Sequence, residues 1–500
     1  MSAKLKAFII GSGVAGLACS IRLAVQGFEV TVFEKNHHAG GKLYMLEQDG
    51  YRFDTGPSLF VQPQNIEELF SLAGENIHDY FNYKKLDITC KYFYEDGIVI
   101  NAYADREKLK KELHQKLNEA PQHVETYLDE SGKIYNNIGK IFLNHSLHKS
   151  KTLTDSGIFN ALKTTRTNYL FSTLHKTNSK NFKSAHLVQL FDRYATYSGS
   201  NPYKAPGMLQ LVPHLELTEG SFYPQGGMIS INKALYNLAL KKGVQFKFNT
   251  PVQKIIEIDN VAKGIVVNDK KIFADVVISN VDVYFTYLKL LSNEIAAAKT
   301  LKQERSSSAL IFYWGIKQEF PQLDLHNIFF SADYKAEFNS IFETKKPFDD
   351  PTIYINITSK MEAGLHAPAG KENWFVMVNV PSDLSISEAS VIDFYRKKII
   401  EKLNRILQTN IETFIETEAV LHPKKIEEDT ASYLGALYGT SSNSRKAAFL
   451  RHPNFSKSIQ HLYFVGGSVH PGGGIPLCLK SAAITSALIA NDSKKWKQHE

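Results

Sequence analysis

The sequence predicts an α/β chain in which a parallel-sheet, dinucleotide-binding unit is interleaved with an α+β unit. Three observations carry that prediction. A strand, a glycine-rich turn, a helix and a second strand follow one another between Ala7 and Glu34. A second glycine-rich turn, five glycines in the nine positions from Gly466 to Gly474, follows a strand near the other end. Between them no internal repeat and no low-complexity linker marks domains strung in series. The expected division gives 1–80, 220–290 and 425–500 to the nucleotide unit, and 81–219 and 291–424 to the second unit. A length of 500 residues is enough for such units, since a domain takes roughly 100–200. Disorder is excluded by 31 Phe and 24 Tyr, which supply a large apolar area.

Each early element has a mechanical purpose. Ala7-Phe8-Ile9-Ile10 is a buried-strand run that enters Gly11-Ser12-Gly13-Val14-Ala15-Gly16. Gly11 allows the tight turn, Gly13 the approach of backbone to a pyrophosphate, and Gly16 close packing of helix on strand. Leu17 to Gln26 reads as a helix whose N-terminus, with Val14 and Ala15, offers free N–H groups to phosphate. Gly27 stops it, and Glu29-Val30-Thr31-Val32-Phe33 forms a strand ending at Glu34. At the end of that strand a carboxylate is placed to accept hydrogen bonds from ribose hydroxyls.

Further along, residues 60 to 135 read as largely helical. Gly220 to Met228 marks a turn before a helix over Ile231 to Lys241, and 243–248, 252–255 and 274–280 read as strands. Phe312-Tyr313-Trp314 is either the lining of an apolar tunnel or ordinary core, and core is the commoner fate of such a run. The stretch 291 to 424 carries no motif.

The residues after Glu34 narrow the cofactor. Glu34-Lys35 leads to Gly40-Gly41-Lys42, then to Tyr51-Arg52-Phe53-Asp54-Thr55-Gly56-Pro57-Ser58-Leu59. This resembles the second signature of the amine-oxidase and phytoene-desaturase flavoproteins. The resemblance implies FAD, with Gly41 and Lys42 near its diphosphate or ribityl chain and Gly56, Pro57, Ser58 and Leu59 bordering the ring. It also implies adenine contact at Val252 and approach of the Ser-Asn-Val-Asp loop at Asn280. The closing run Gly466-Gly467-Ser468-Val469-His470-Pro471-Gly472-Gly473-Gly474-Ile475-Pro476 strongly resembles the C-terminal motif of bacterial-type carotenoid desaturases. That motif implies that Gly466, Gly467, Gly474, Ile475 and Pro476 lie against FAD, and Pro224-Gln225-Gly226-Gly227 is similar to the family's Pro-x-Gly-Gly.

What the resemblance implies is an FAD-dependent oxidoreductase that passes hydride from an allylic CH2 of a polyene to flavin N5, with loss of a neighbouring proton. Gly467-Ser468 and Leu477-Cys478 depart from the usual pattern and incline the reading to 3,4-desaturation of a 1-hydroxycarotenoid. Phytoene desaturase, carotene isomerase, carotenoid oxidase and amine oxidase are the competing enzymes. A flavin-free prenyl-binding regulator resembling Rab GDP-dissociation inhibitor is the remote one, opposed by intact glycine motifs and Glu34. The cofactor is expected to be non-covalent, because the linking cysteine of some amine oxidases lies well upstream of this motif and Thr440-Ser441-Ser442 has none. No catalytic acid or base stands out. His470 is expected to order the glycine loop rather than to accept a proton.

The formal charge is +7, and Lys149 to Lys183 holds seven basic residues against one acid, Asp155, among Phe159, Leu162, Tyr169, Leu170 and Phe171. An anionic membrane surface is the expected partner of that stretch, and nucleic acid is not. Three scattered cysteines with no CxxC pair exclude a disulfide framework and a zinc site. No run approaches about 18 uninterrupted apolar residues, and the first residues lack a cleavable leader pattern. The expectation is a cytoplasmic protein held peripherally at the inner face of the membrane, with oxygen or a quinone as electron acceptor.

Overall fold

The structure, a computed structural model, describes residues 4–149 and 168–496. One sheet has five parallel strands in the order Gln245–Lys247, Glu29–Phe33, Lys6–Ile10, Val276–Ser279 and Leu462–Phe464. Parallel strands covered on both faces are near-continuous apolar runs, and Ile9, Val32, Val276 and Ile278 are fully buried. Helices Val14–Val25, Ile229–Lys241 and Ile475–Trp496 cover one face, where Leu17, Ile21, Leu235, Leu238, Leu479 and Ala482 share a core. The opposite face is covered by an antiparallel meander, Lys254–Ile258, Val261–Val267 and Lys270–Phe273, through Ile255, Ala262 and Ile265. The first helix ends because Gly27, at φ +92°, turns the chain so that Phe28 N–H reaches the Leu23 carbonyl at 3.1 Å.

The second sheet has seven strands, in the order Ile415–Leu421, Ser308–Ile316, Glu372–Val380, Ile353–Asn356, His326–Phe329, Ile88–Phe93 and Val99–Tyr103. Its pairings are antiparallel except that of His326–Phe329 with Ile88–Phe93. Side chains alternate across it. Phe312, Trp314, Trp374, Val376 and Ile355 face the helix Ala389–Leu407, and Ile311, Tyr313 and Phe375 face the other way. The chain passes between the two sheets after Phe33, Tyr103, Ser279 and Leu421. This is the interleaved α/β architecture that the sequence predicts.

One expectation needs correction. Residues 60–135 are helical over Gln64–Leu72, Arg106–Leu117 and Pro121–Ile134, but strands Tyr83–Lys85, Ile88–Phe93 and Val99–Tyr103 lie between. The Asp96-Gly97 turn, where Gly97 N–H donates to Tyr94 O at 3.1 Å, joins the last two and is a hairpin signal. Pairing with the strand His326–Phe329, far along the chain, overrides the local pattern. The aromatic run 312–314 is core for Phe312 and Trp314, and only Tyr313 turns to the opposite face.

Candidate active site

The glycine-rich loops are shaped by what is missing from them. A Cβ on Gly16 would lie 2.3 Å from the Gly11 carbonyl oxygen, and one on Gly13 would lie 2.8 Å from Asn280 Nδ2. Gly11 itself sits at φ +95°, a conformation that favours glycine. Val14 and Ala15 begin the helix and are buried. From the other end of the chain, Gly466 comes so near that its Cβ would meet Asn280 Oδ1 at 2.8 Å, while Gly467 packs on Gly473. Asn280, expected merely to approach the cofactor, is therefore the wedge between both glycine loops.

Glu34 is buried, and its carboxylate is held before any ligand arrives. Ser12 donates to Oε2 from both N and Oγ at 2.8 Å, and Asn36 N–H donates to Oε1 at 3.0 Å. Next to it the Lys35 ammonium donates to the Glu428 carbonyl, and Asn36 Nδ2 to the Asp429 carbonyl at 3.0 Å.

Gly41 lies against Gly13, its Cβ position 3.3 Å from Gly13 Cα, and a Cβ on Gly56 would strike the Lys42 carbonyl at 1.9 Å. Lys42 is not an exposed loop lysine. Its Nζ donates to Leu437 O at 2.8 Å and Ala436 O at 3.3 Å. Desolvation pulls its pKa down to about 8, against the field of Asp282, which raises it. Pro57, Ser58 and Leu59 continue from Gly56 and are half-buried, between buried Asp54 and buried Phe60.

Asp54 turns out to be a cap. Its carboxylate accepts from Met228 N–H at 2.8 Å and Ile229 N–H at 3.0 Å at the start of the helix Ile229–Lys241. Burial pushes its pKa up to about 6 even with these donors. Arg52 donates to the Gly226 carbonyl at 2.6 Å, so the Tyr-Arg-Phe-Asp and Pro-x-Gly-Gly segments interlock. Val252 lies just before the meander's first strand and packs on its core.

The C-terminal loop ends at Gly474, φ +101°, beside which, among the described residues, no heavy atom would lie within 4 Å of a Cβ. Ile475, buried, and Pro476, half-buried, open the last helix there. His470 is fully buried with Nε2 2.9 Å from the His145 carbonyl, and its own carbonyl accepts from Asn454 Nδ2 at 2.8 Å. Burial lowers its pKa to about 4, so it orders the loop as a neutral ring. The basic stretch is described only in part: Lys151, Asp155, Phe159, Leu162, Lys163 and Arg166 lie outside the described residues. Among the described residues no helix is long and apolar enough to cross a membrane, and no side-chain cluster is fit to hold a metal.

Sequence reasoning missed Ser12 as the residue that fixes Glu34, although it stands inside the first motif. It also missed the apolar side of the large sheet beside Lys42, where half-buried Leu46, Met377, Leu421 and Leu437 pack on Ile311 and Phe375. These residues come from five separate stretches of chain, and no local spacing joins them.

Two glycine loops closing on Asn280, with an apolar sheet face beside Lys42 through Leu437, fit the layout of a flavin-dependent oxidoreductase. The chain belongs to the flavin containing amine oxidoreductase family, whose model matches residues 14–490. It is 50% identical to the 1-hydroxycarotenoid 3,4-desaturase of Flavobacterium sp. (strain P99-3), across 97% of this chain and 99% of that one. It is 32% identical to the 4,4'-diaponeurosporene oxygenase of Staphylococcus haemolyticus (strain JCSC1435), across 94% of each. Among solved structures, cyclohexylamine oxidase from Brevibacterium oxydans IH-35A has the same fold, with a TM-score of 0.64 over 98% of this chain and 100% of that one at 12% identity.

Proposed function

We propose that this protein is an FAD-dependent carotenoid desaturase that makes the 3,4-double bond of a 1-hydroxycarotenoid. The observation that carries the reading is 50% identity, end to end, to a relative of that name. The residues present fit the cofactor. Side chains are excluded at Gly13 and Gly16, and Glu34 keeps a lone pair on Oε1 free beyond its bonds to Ser12 and Asn36. We assign Gly11 to Gly16, Gly41, Gly466 and Gly467 to the diphosphate, Glu34 to the ribose, and Val252 to the adenine. Lys42, Gly56 to Leu59 and Gly474 to Pro476 border the ring end, and the Lys35 contact closes the ribose end. Attachment is non-covalent: burial pushes the Cys478 thiol up to about 11, which leaves it protonated and unreactive at neutral pH. When bound, the flavin supplies the acceptor for the two electrons that desaturation removes. The chain's own work is to hold the polyene against that site in dry surroundings, so positioning carries most of the catalysis.

The nucleotide unit then comprises 1–80, 220–290 and 425–500, and the substrate unit 81–219 and 291–424. We propose further that the enzyme works at the inner face of the membrane, with oxygen or a quinone as final acceptor. Exposed Phe171 and Leu450, the former under the Arg445 guanidinium at 4.6 Å, support contact near the basic stretch. Binding to anionic vesicles that does not weaken with salt would count against an electrostatic contact.

The deciding experiment supplies a 1-hydroxycarotenoid in vesicles to the flavin-loaded protein and reads the pigment by chromatography and mass. A product lighter by two hydrogens, with one more conjugated double bond, is expected. A product that has gained oxygen would favour the second reading, an oxygenase, which the Staphylococcus relative suggests.

A further inference from the structure

The face of the seven-stranded sheet turned toward the nucleotide unit is apolar along Ile311, Phe375, Met377, Ala419 and Leu421. Tyr354 is a polar group on that face. Tyr354 is half-buried, whereas Ile353 and Ile355 on either side are fully buried against the opposite face. Its hydroxyl lies 2.8 Å from Ser58 Oγ and 2.8 Å from His326 Nδ1. Ser58 arrives from the nucleotide side, just after Gly56, so this contact bridges the two units where the glycine seam ends. His326 is 2% exposed, and its Nε2 has no partner among the described residues.

This chain of groups leaves an acceptor at its Ser58 end. Asn356 Nδ2 donates to the Leu325 carbonyl at 3.1 Å and also approaches His326 Nδ1 at 3.2 Å. Asn356 Nδ2 and the Tyr354 hydroxyl both face Nδ1, which has one lone pair in the ring plane. Between Tyr354 and Ser58 either hydroxyl can donate. In both arrangements Ser58 Oγ keeps a lone pair, so it can accept from a further hydroxyl. Burial lowers the His326 pKa to about 3, so the ring is neutral at working pH and too weak a base to take a proton from carbon.

Resting on the desaturase reading above, we infer that the Ser58–Tyr354–His326 relay recognises the substrate's terminal hydroxyl, which donates to Ser58 Oγ. A hydrocarbon alone can slide along an apolar face, because dispersion contacts there are alike at every position. One fixed hydrogen bond sets the register and decides which pair of CH2 groups meets the flavin site. An end without the hydroxyl leaves Ser58 oxygen facing hydrocarbon, and a polar site is far stricter than an apolar one against a ligand that lacks its hydroxyl.

The test is a competition between a 1-hydroxylated carotenoid and its unhydroxylated counterpart in the same vesicles, with flavin content checked first by absorbance. Wild type should favour the hydroxylated substrate by about tenfold or more. Tyr354→Phe and Ser58→Ala should each erase about tenfold of that ratio, and Ser58→Thr, which keeps the acceptor, should retain it. Should Ser58→Ala lose flavin or fail to fold, Tyr354→Phe decides alone. A ratio unchanged in the variants, or a wild type with no preference, overturns the recognition while leaving a desaturase. Conversion of neither pigment overturns the desaturase reading and this inference together.

Discussion

The two sheets use side chains in opposite ways. In the five-stranded unit the decisive positions are those where a side chain is absent, because Gly13, Gly16 and Gly466 let two stretches of backbone close on Asn280. In the seven-stranded unit the decisive positions carry the largest side chains, with Trp314, Trp374 and Phe312 fully buried in one core. The first region is specified by backbone geometry and tolerates no added atoms. The second is specified by volume, and many different sequences can supply volume. Apart from the proposed hydroxyl contact at Ser58 and Tyr354, the second region is constrained mainly through shape.

The contrast can be broken by measurement. Its largest test is Trp374→Ala, which should cost about 3–5 kcal/mol of stability by leaving a cavity and by removing the 2.7 Å bond from the indole N–H to Glu372. Chemical denaturation reads the loss, and flavin per folded molecule should not change. If flavin occupancy falls in proportion, the two regions are not separable. Glu34→Ala is the reverse case. Each charge-assisted bond to a ribose hydroxyl is worth about 1.5–3 kcal/mol, so flavin should leave on dilution while circular dichroism stays the same. Full flavin retention in that variant would remove Glu34 from the site.

Gly56→Ala sharpens the point about missing atoms. One methyl group placed 1.9 Å from the Lys42 carbonyl should cost about 1–3 kcal/mol and weaken flavin binding together with stability. Stability equal to wild type would show that the seam has slack. The smallest effect is a pH difference in the volume-specified unit. Burial pushes Glu337 up to about 7, although Thr352 donates to it from N and Oγ1 at 2.9 and 2.6 Å. A carboxyl whose folded pKa is raised favours the fold below its unfolded value near 4.5, and that contribution is lost as pH rises through 7. Glu337→Gln does not titrate, so its stability relative to wild type should rise between pH 5 and pH 8 by about 1 kcal/mol or more. Melting temperatures that differ by a constant amount at the two pH values would refute the assignment.

The same contrast explains what was legible in the sequence. Gly11 to Glu34 and Gly466 to Pro476 are each contiguous, so their grouping could be read directly. Asn280 was named, but its wedge role depends on Gly13 and Gly466, which lie near opposite ends of the chain. The hairpin over 88–103 was hidden between helices, and its Asp96-Gly97 turn was the one local clue. Ser58, Tyr354 and His326 meet from three strands or loops with no shared period. Such a cluster has no trace in a single chain because each member looks ordinary in its own neighbourhood.

The strand Leu462–Phe464 and the helix Ile475–Trp496 complete a sheet and a core that the strands Lys6–Ile10 and Glu29–Phe33 begin. On the ribosome the chain emerges N-terminus first, so the opening βαβ segment is made long before the strand and helix that complete its sheet and core. A chain stopped before Leu462 would carry every strand of the seven-stranded sheet and lack both of those elements.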